Sequence, residues 1–276
     1  MPRPGRVLAV TGGHRIDLAE FVEMLTAVCD DLGWVWAHAT QPSAQQWLRP
    51  EHIGAWDAIL LHDLPGLRLA RGQAPVPVGP GDDVRAGVRQ LLATGQGVVV
   101  THHALAGWPS WEGWATAVGG RYLYAPGMLR GQQWPSSGYR LARHHIDVIA
   151  TDHPVCAGIQ PFDVDDELYL CPVFEDEVVP LLATTADLDG RQFISTFEAV
   201  RDGLELDAAL HPAGSRLVAW AKSAERSPLV YLQPGHGRET MQHPQYRRLL
   251  VNALRWVASP EAHGWAAAHP SPLPVD

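Results

Sequence analysis

The sequence predicts an α/β protein whose open, mostly parallel sheet carries helices on both faces. Short apolar runs alternate with amphipathic helical stretches along the chain, and Gly97–Thr101 reads GVVVT. The alternation is typical of βαβ units. A continuous run of β-branched residues is typical of a central strand that is buried on both faces.

The first half of the chain contains four predicted strands and two predicted helices. Asp17 is the expected N-cap of the first helix, with Glu20 three residues later in an acidic variant of the capping box. The Gly/Pro-rich segment 66–81 is expected to be a long loop, and helix Asp82–Thr94 follows it. The strands are predicted at Arg6–Val10, Val35–Ala39, Ala58–His62 and Gly97–Thr101.

The second half has a looser pattern and ends in a clear amphipathic helix at Pro244–Ala258. Residues 1–258 are expected to form a single domain, because no internal repeat or interdomain linker is visible. Segment 259–276 is rich in Ala and Pro and is expected to be poorly ordered. Further strands are predicted at 121–124, Ile146–Thr151, Val178–Thr185, Arg216–Ala221 and Leu229–Leu232.

Composition excludes several classes of protein. The 276 residues carry a net charge of −9, which argues against a nucleic-acid-binding face. No apolar run approaches the ~20 residues of a membrane span, and the apolar run near Met1 is too short for a signal peptide. Three sparse cysteines form neither a disulfide framework nor a zinc motif. We therefore expect a cytoplasmic protein that binds neither nucleic acid nor membranes.

Histidines follow the carboxyl ends of four predicted strands. In an open parallel sheet, ligands bind in the crevice beyond these strand ends. One such histidine would more often be structural or simply exposed, so the prediction of a His-rich pocket depends on the four occurring together. The groups are His14 beside Arg15, His62 beside Asp63, the pair His102-His103, and His236 between two glycines.

Several motifs resemble those of the ThuA (trehalose-utilisation) family, in family order from about Val7 to Ala258. They are TGGHRIDLAEF, LLHDLPG, VVVTHHALAGWPSWEGWATAVGGRYLY, HHIDVIATDHPVCAGIQPFDVDDELY and VYLQPGHGRETMQHPQYRRLLVNALRWVA. The resemblance implies a flavodoxin-like, class I glutamine amidotransferase-like fold. It also implies a role in the metabolism of trehalose or related disaccharides, including oxidised (keto) sugars.

The chain departs from the amidotransferase pattern at the nucleophile. Those enzymes place a cysteine on the sharp turn after a central strand, where this chain has His102-His103. None of its three cysteines is near that turn. Because thiol chemistry needs an activated thiolate beside a base, we expect no glutamine amidotransferase activity. His236 remains where the late histidine of those enzymes would be.

Imidazoles supply the candidate chemistry. His14, His103 and His236 are the predicted catalytic groups, since imidazole moves protons near neutral pH. The same three side chains are candidate ligands of a divalent metal such as zinc, with a carboxylate completing the shell. The resemblance assigns Glu167 as the supporting carboxylate, with Asp166 beside it. No HExxH or HxH spacing is present, so a metal site depends on convergence in space.

Aromatic residues after the His-His turn favour a sugar as the small-molecule ligand, because flat aromatic walls suit the apolar face of a sugar ring. Tyr122 and Tyr124 are further candidates for such a wall. Trp111 and Trp114 are helically spaced, so at least one of them is expected to face the core. Candidate substrate-binding residues are Arg15, Asp63, His102, Trp108, Trp111 and Tyr169.

Two functions fit these observations. One is a sugar-active enzyme that uses the histidines for acid/base or metal-assisted chemistry. The other is a non-catalytic carbohydrate-binding or regulatory protein on a disabled amidotransferase scaffold. The eleven tryptophans also favour self-association into a homo-oligomer.

Overall fold

The computed structural model describes residues 3–196 and 214–275. The strands are β1 (Arg6–Gly12), β2 (Val35–Thr40), β3 (Ala58–Asp63), β4 (Leu67–Arg68), β5 (Val76–Pro77), β6 (Val98–Thr101), β7 (Gly127–Leu129), β8 (Gln132–Trp134), β9 (Gly138–Val148), β10 (Phe162–Leu170), β11 (Val179–Thr184), β12 (Leu217–Ala224) and β13 (Ser227–Leu232). The helices are α1 (Leu18–Leu32), α2 (Asp82–Ala93), α3 (Glu112–Val118), α4 (Arg238–Gln242), α5 (Pro244–Val257) and α6 (Pro260–Ala268). Within these two ranges, no helix is long and apolar enough to cross a bilayer.

The main sheet has a parallel half and an antiparallel extension, in the order β10-β9-β11-β12-β13-β6-β3-β1-β2. Strands β2, β1, β3, β6 and β13 pair in parallel. Each further pairing, from β12 to the edge strand β10, is antiparallel. Strands β11 and β10 therefore share the direction of the parallel half. The architecture confirms the predicted α/β, flavodoxin-like class.

Helices cover both faces of the sheet, and the two faces can be read from β1. Val7 and Ala9 belong to the core layer that contains the buried residues of α1 and α5. Leu8 and Val10 belong to the opposite layer, which contains those of α2 and α3. Successive strand residues point to opposite faces, so a strand buried on both sides reads as a continuous apolar run.

The start of α1 shows how the sequence sets an element boundary. The Asp17 side chain accepts hydrogen bonds from the backbone N–H groups of Ala19 and Glu20, as the capping pattern predicts. The helix ends at Gly33, which adopts the left-handed conformation with φ of +67°. This geometry places α1 directly after the turn that carries the first predicted histidine.

Two predicted strands were wrong or misplaced. Residues 121–124 form no strand; they are an irregular segment in which Tyr122 and Leu123 are buried by side-chain packing. The strand predicted at Ile146–Thr151 is β9, which begins at Gly138 and ends at Val148. Its first residues are polar or partly exposed, so they lack the apolar run on which the prediction relied.

The C-terminal segment, expected to be poorly ordered, is instead attached to the domain by α6. The Ser259 hydroxyl accepts a hydrogen bond from the backbone of Ala262, and Pro260 occupies the start of the helix, where no backbone donor is needed. The rings of Trp256 and Trp265 then lie 5.5 Å apart. The composition was misleading because alanine favours helices and proline is well tolerated in the first helical turn.

The chain's single lysine, Lys222, is almost fully buried on β12. Its Nζ lies 3.1 Å from a carboxylate oxygen of Glu177 and 2.9 Å from the Ser271 hydroxyl oxygen. The ion pair and the hydrogen bond satisfy a charge that would be costly to bury alone. They also fix the residues beyond α6 to the sheet.

Candidate active site

A cavity of about 220 Å³ opens beyond the carboxyl ends of β1, β3 and β6. His14 and His103 reach it from the turns after β1 and β6, and Glu167 reaches it from β10. Leucines from the loop after β3 line one side, and tyrosines line another. The tyrosines are Tyr122, Tyr124, Tyr139 and Tyr169, and the leucines are Leu64, Leu67 and Leu69.

The His102-His103 turn has an unusual backbone. His102 adopts a left-handed conformation with φ of +52°, which is uncommon for a residue with a side chain and costs on the order of 1–3 kcal/mol. The turn packs closely on Gly235, where an added Cβ would lie 3.4 Å from the His102 Cβ and 2.9 Å from the Tyr246 oxygen. His102 is fully buried, whereas His103 faces the cavity.

Four side chains converge beside the cavity, and two of them, His103 and Glu167, also line it. One donor atom from each of His102, His103, Glu167 and His236 lies within 4.8 Å of the other three. Glu167 Oε2 is 3.5 Å from Nε2 of both His102 and His103, and Oε1 is 3.3 Å from His236 Nδ1. His102 Nε2 and His236 Nδ1 are 3.4 Å apart. We call these four residues the imidazole–carboxylate cluster.

Hydrogen bonds outside the cluster orient its members. His102 Nδ1 lies 2.9 Å from the Gln233 carbonyl, so Nδ1–H donates to that oxygen and the Nε2 lone pair faces the cluster. The Tyr169 hydroxyl donates to Glu167 Oε2 at 3.1 Å. Burial raises the pKa of Tyr169 well above its ordinary value, and the neighbouring Glu167 carboxylate adds to this, so the phenol remains a donor.

His14 stands beside the cluster and faces the cavity. Its ring packs against that of His103, with centroids 3.9 Å apart and the planes tilted by 31°. Its Nδ1 lies 2.9 Å from the Arg15 carbonyl, so Nδ1–H donates there and Nε2 is left to meet a ligand. The structure therefore brings the predicted His14, His103 and His236 to one place, together with the predicted His102 and Glu167. His14, a predicted metal ligand, is not among the four residues whose donor atoms converge.

Burial favours the neutral form of His14, His102 and His103. Desolvation lowers the pKa of His102 and His103 well below the ordinary value, and neighbouring imidazoles lower it further. Desolvation also lowers the pKa of His14. Neutral imidazole carries a lone pair, which is the form that accepts a proton or binds a metal. The cavity thus presents basic nitrogen atoms rather than cations.

His62, also predicted at a strand end, lies behind the cluster. Its Nδ1 is 2.8 Å from the Thr101 hydroxyl, which itself donates to the Leu61 carbonyl. Its ring stacks on that of Phe21 at 5.1 Å and faces that of His102 at 6.0 Å. Burial lowers the pKa of His62 to about 4, so it is a neutral packing partner of His102.

Five of the six predicted substrate-binding residues do not line the cavity, and the fully buried His102 is one of them. The Arg15 side chain is exposed, and only its carbonyl contributes, through His14. Asp63 is buried and accepts a hydrogen bond from the Gln41 amide at 2.7 Å. Trp108 and Trp111 are buried in the core layer around α2 and α3. The aromatic pattern after the turn belongs mainly to core packing, because large rings serve either purpose equally well.

Other lining residues were absent from the sequence prediction. Tyr139 was missed because β9 was placed too late in the chain, and Leu64, Leu67 and Leu69 lie in or next to the loop 66–81. That loop was noted as long enough to be functional, and it contains the small β4–β5 hairpin. The leucines of this otherwise Gly/Pro-rich loop could have indicated that it packs against the site.

The three cysteines lack the features of reactive thiols. Each is a buried free thiol, and none lines the cavity. Burial raises the thiol pKa to about 12 at Cys29 and Cys171 and to about 11 at Cys156. Reactive cysteines have the opposite property, a lowered pKa in a polar site.

Fold and site together define an α/β protein with a flavodoxin-like parallel half-sheet, in which a histidine pair follows the central strand β6. The chain belongs to the ThuA family: the family model, described as trehalose utilisation, matches residues 6–257. No curated protein matches its sequence.

Solved structures of ThuA-like proteins share the fold. A ThuA-like protein from Bacteroides uniformis is 18% identical with a TM-score of 0.62, and the match covers 93% of each chain. One from Parabacteroides merdae is 14% identical with a TM-score of 0.66, covering 93% of this chain and 91% of that chain. At these identities the likeness concerns the fold alone.

Proposed function

We propose that this chain is a carbohydrate-active enzyme that works through the His-rich cavity. The observation that carries the proposal is the pair His14 and His103, whose ring centroids lie 3.9 Å apart and which line the same cavity as four tyrosines. Neutral imidazoles at a ligand-binding surface can take a proton from a substrate and return it. The family's link to trehalose utilisation supports trehalose or a related disaccharide, including a keto derivative, as the substrate.

The walls of the cavity support a sugar as the ligand. Tyr122 and Tyr124 pack against each other at 5.1 Å, and Tyr122 accepts a hydrogen bond from the Thr196 hydroxyl. Rings of this kind can stack on the apolar face of a pyranose while hydroxyls and imidazoles bind its polar edge. In this arrangement His14 Nε2 is the group best placed to exchange a proton with a bound sugar.

Turnover and His14→Ala test this proposal. The protein is incubated with trehalose and with 3-keto-trehalose, and products are separated by chromatography. We expect turnover of at least one sugar, and a loss of roughly 100-fold or more in kcat for His14→Ala, since general acid–base catalysis contributes about that much.

His145→Ala is the matched control, because His145 is a half-exposed histidine of β9 that pairs with Asp163 at 2.7 Å. It should turn over sugar like the parent protein. Saturable sugar binding without any product would identify a non-catalytic carbohydrate-binding protein and overturn the proposal. Equal rates for His14→Ala and His145→Ala would remove His14 from the reaction.

A further inference from the structure

We propose that the imidazole–carboxylate cluster binds one divalent transition-metal ion, with zinc as the best match. The ligands are Nε2 of His102, Nε2 of His103, Nδ1 of His236 and a carboxylate oxygen of Glu167. The ion would lie beside the cavity that the proposed function uses. The proposal extends that function and does not depend on the identity of the sugar.

The distances between donor atoms fit a single ion. Zinc bound by imidazole and carboxylate at about 2.0–2.1 Å in a tetrahedron keeps its ligand atoms about 3.3 Å apart. Four of the six donor separations are close to this value: 3.3 Å for Glu167 to His236, 3.4 Å for His102 to His236, and 3.5 Å for Glu167 to His102 and to His103. The other two lie within 4.8 Å, so small side-chain movements would bring all four donors to one ion.

The same distances are less suited to direct hydrogen bonding. An N–H···O hydrogen bond is ordinarily about 2.7–3.2 Å long, and charge-assisted ones are shorter still. The Glu167 carboxylate lies 3.3–3.5 Å from three imidazole nitrogens and at hydrogen-bond distance from none of them. A shared cation explains why the carboxylate lies among three imidazoles without a short hydrogen bond to any of them.

The donor set has the chemistry of a zinc site. Three imidazoles and one carboxylate suit zinc better than calcium or magnesium, which prefer oxygen ligands. A metal-binding histidine usually donates its other N–H to a carbonyl or carboxylate, and His102 does this to Gln233 at 2.9 Å. The Tyr169 hydroxyl orients the ligating carboxylate in the same way.

The strained turn gives the metal proposal a second, independent support. Adjacent residues ordinarily point apart, yet the rings of His102 and His103 have centroids 3.9 Å apart and an angle of 68° between their planes. The left-handed backbone at His102 is what lets both rings reach one point. Strained backbone at a non-glycine residue is a recurring feature of functional sites.

Zinc binding is measured directly, with no sugar present. Purified protein is stripped with a chelator, and Zn²⁺ is titrated in competition with a chromophoric chelator. Co²⁺ is then added as a spectroscopic probe of ligand geometry. We expect one equivalent of Zn²⁺ and the intense visible absorption of four-coordinate Co²⁺. Absence of Zn²⁺ and Co²⁺ binding by the folded protein would overturn the proposal.

Two variants locate the site. His236→Ala removes a partly exposed ligand, and Glu167→Gln keeps the shape of a buried one. Each should weaken Zn²⁺ binding by about 100-fold or more, since even partners outside the first shell are worth 10–100-fold. The control His145→Ala should bind like the parent. Unchanged affinity in both cluster variants would place any bound metal elsewhere and overturn the proposal.

The measurements separate this proposal from the proposed function. His14 is not one of the four ligands, so His14→Ala should lose turnover and keep Zn²⁺ affinity. Zinc binding without sugar turnover would sustain the metal site and reject the enzyme. Turnover by a stripped protein that also fails to bind added Zn²⁺ or Co²⁺ would sustain the enzyme and reject the metal site.

Discussion

Asp166 holds the backbone of His236: its Oδ1 accepts the His236 N–H at 3.1 Å, and its Oδ2 accepts that of Gly235 at 2.8 Å. The next residue, Glu167, faces the imidazole of the same histidine at 3.3 Å. Two neighbouring residues of β10 thus fix both the main chain and the side chain at position 236. His236 is therefore positioned by the antiparallel extension of the sheet.

Replacing Asp166 by Asn should destabilise the protein. The amide would present an N–H₂ group to backbone donors, and loss of a hydrogen bond to a buried group costs about 1–3 kcal/mol. Urea unfolding measures the change. Asp165→Asn, at the exposed neighbouring position, is the control and should be nearly neutral. Equal effects at the two positions would contradict the role given to Asp166.

Asp63→Asn should stabilise the protein at high pH. Burial raises the pKa of Asp63 to about 7 from its ordinary 3.8, partly offset by the Gln41 hydrogen bond, so the folded state holds a proton that the unfolded state releases. The native protein therefore loses stability as pH rises from about 4 to 7, by up to about 4 kcal/mol. Asn can keep the Gln41 hydrogen bond and has no proton to lose.

Urea unfolding of Asp63→Asn and the parent at pH 4 and pH 8 checks this expectation. The variant should be the more stable at pH 8, and the two should be close near pH 4. A difference that is the same at both pH values would show that Asp63 does not titrate in this range.

Gly13→Ala should be far more damaging than Gly33→Ala. Both glycines have positive φ, +79° and +67°, but an added Cβ at Gly13 would lie 2.1 Å from the Leu64 carbonyl oxygen, whereas Gly33 has open space. Left-handed backbone alone costs about 1–2 kcal/mol, which is the effect expected at Gly33. At Gly13 we expect more than about 4 kcal/mol, because backbone must move.

Thermal unfolding of the two glycine variants measures the difference. Gly13→Ala should also displace His14, which follows it directly. Similar melting temperatures for the two variants would show that the turn after β1 can relax around a methyl group.

Acylation of Lys222 should report unfolding of the sheet. Its side chain is 1% exposed and holds Glu177 and Ser271, so a reagent meets the amine only when β12 or the C-terminal segment opens. Mass spectrometry of the Lys222 peptide after timed exposure to an amine-reactive reagent gives the rate. Ser271→Ala should speed the reaction moderately. Rapid labelling of the native protein would contradict the buried position.

The strand-end rule predicted the gathering of histidines because it depends only on strand order and direction in the parallel half. His14 and His103 follow strands whose apolar runs are unmistakable. The contribution of β10 could not be predicted in the same way. Its partner strand β9 is partly exposed over much of its length, and nothing local in the sequence indicates that Asp166 and Glu167 meet residues 235 and 236.

The aromatic residues show where composition misleads. Trp108 and Trp111 follow the His102-His103 turn in sequence and are buried in the core, while Tyr139 lies further along the chain and lines the cavity. A ring that packs in a core and a ring that stacks on a sugar share size, shape and apolar character. Only the tertiary arrangement separates the two, and it is set by long-range pairing.

Four strands separate β10 from β6 in the sheet order, yet Glu167 on one meets His102 at the end of the other. This contact therefore connects the edge strand β10 directly to the end of the central strand β6. A ligand bound to both residues would link the two ends of the antiparallel extension. Filling the cluster should then slow amide hydrogen exchange in β9 and β10 more than in the distant strand β2, because ordering at one end is coupled to ordering at the other.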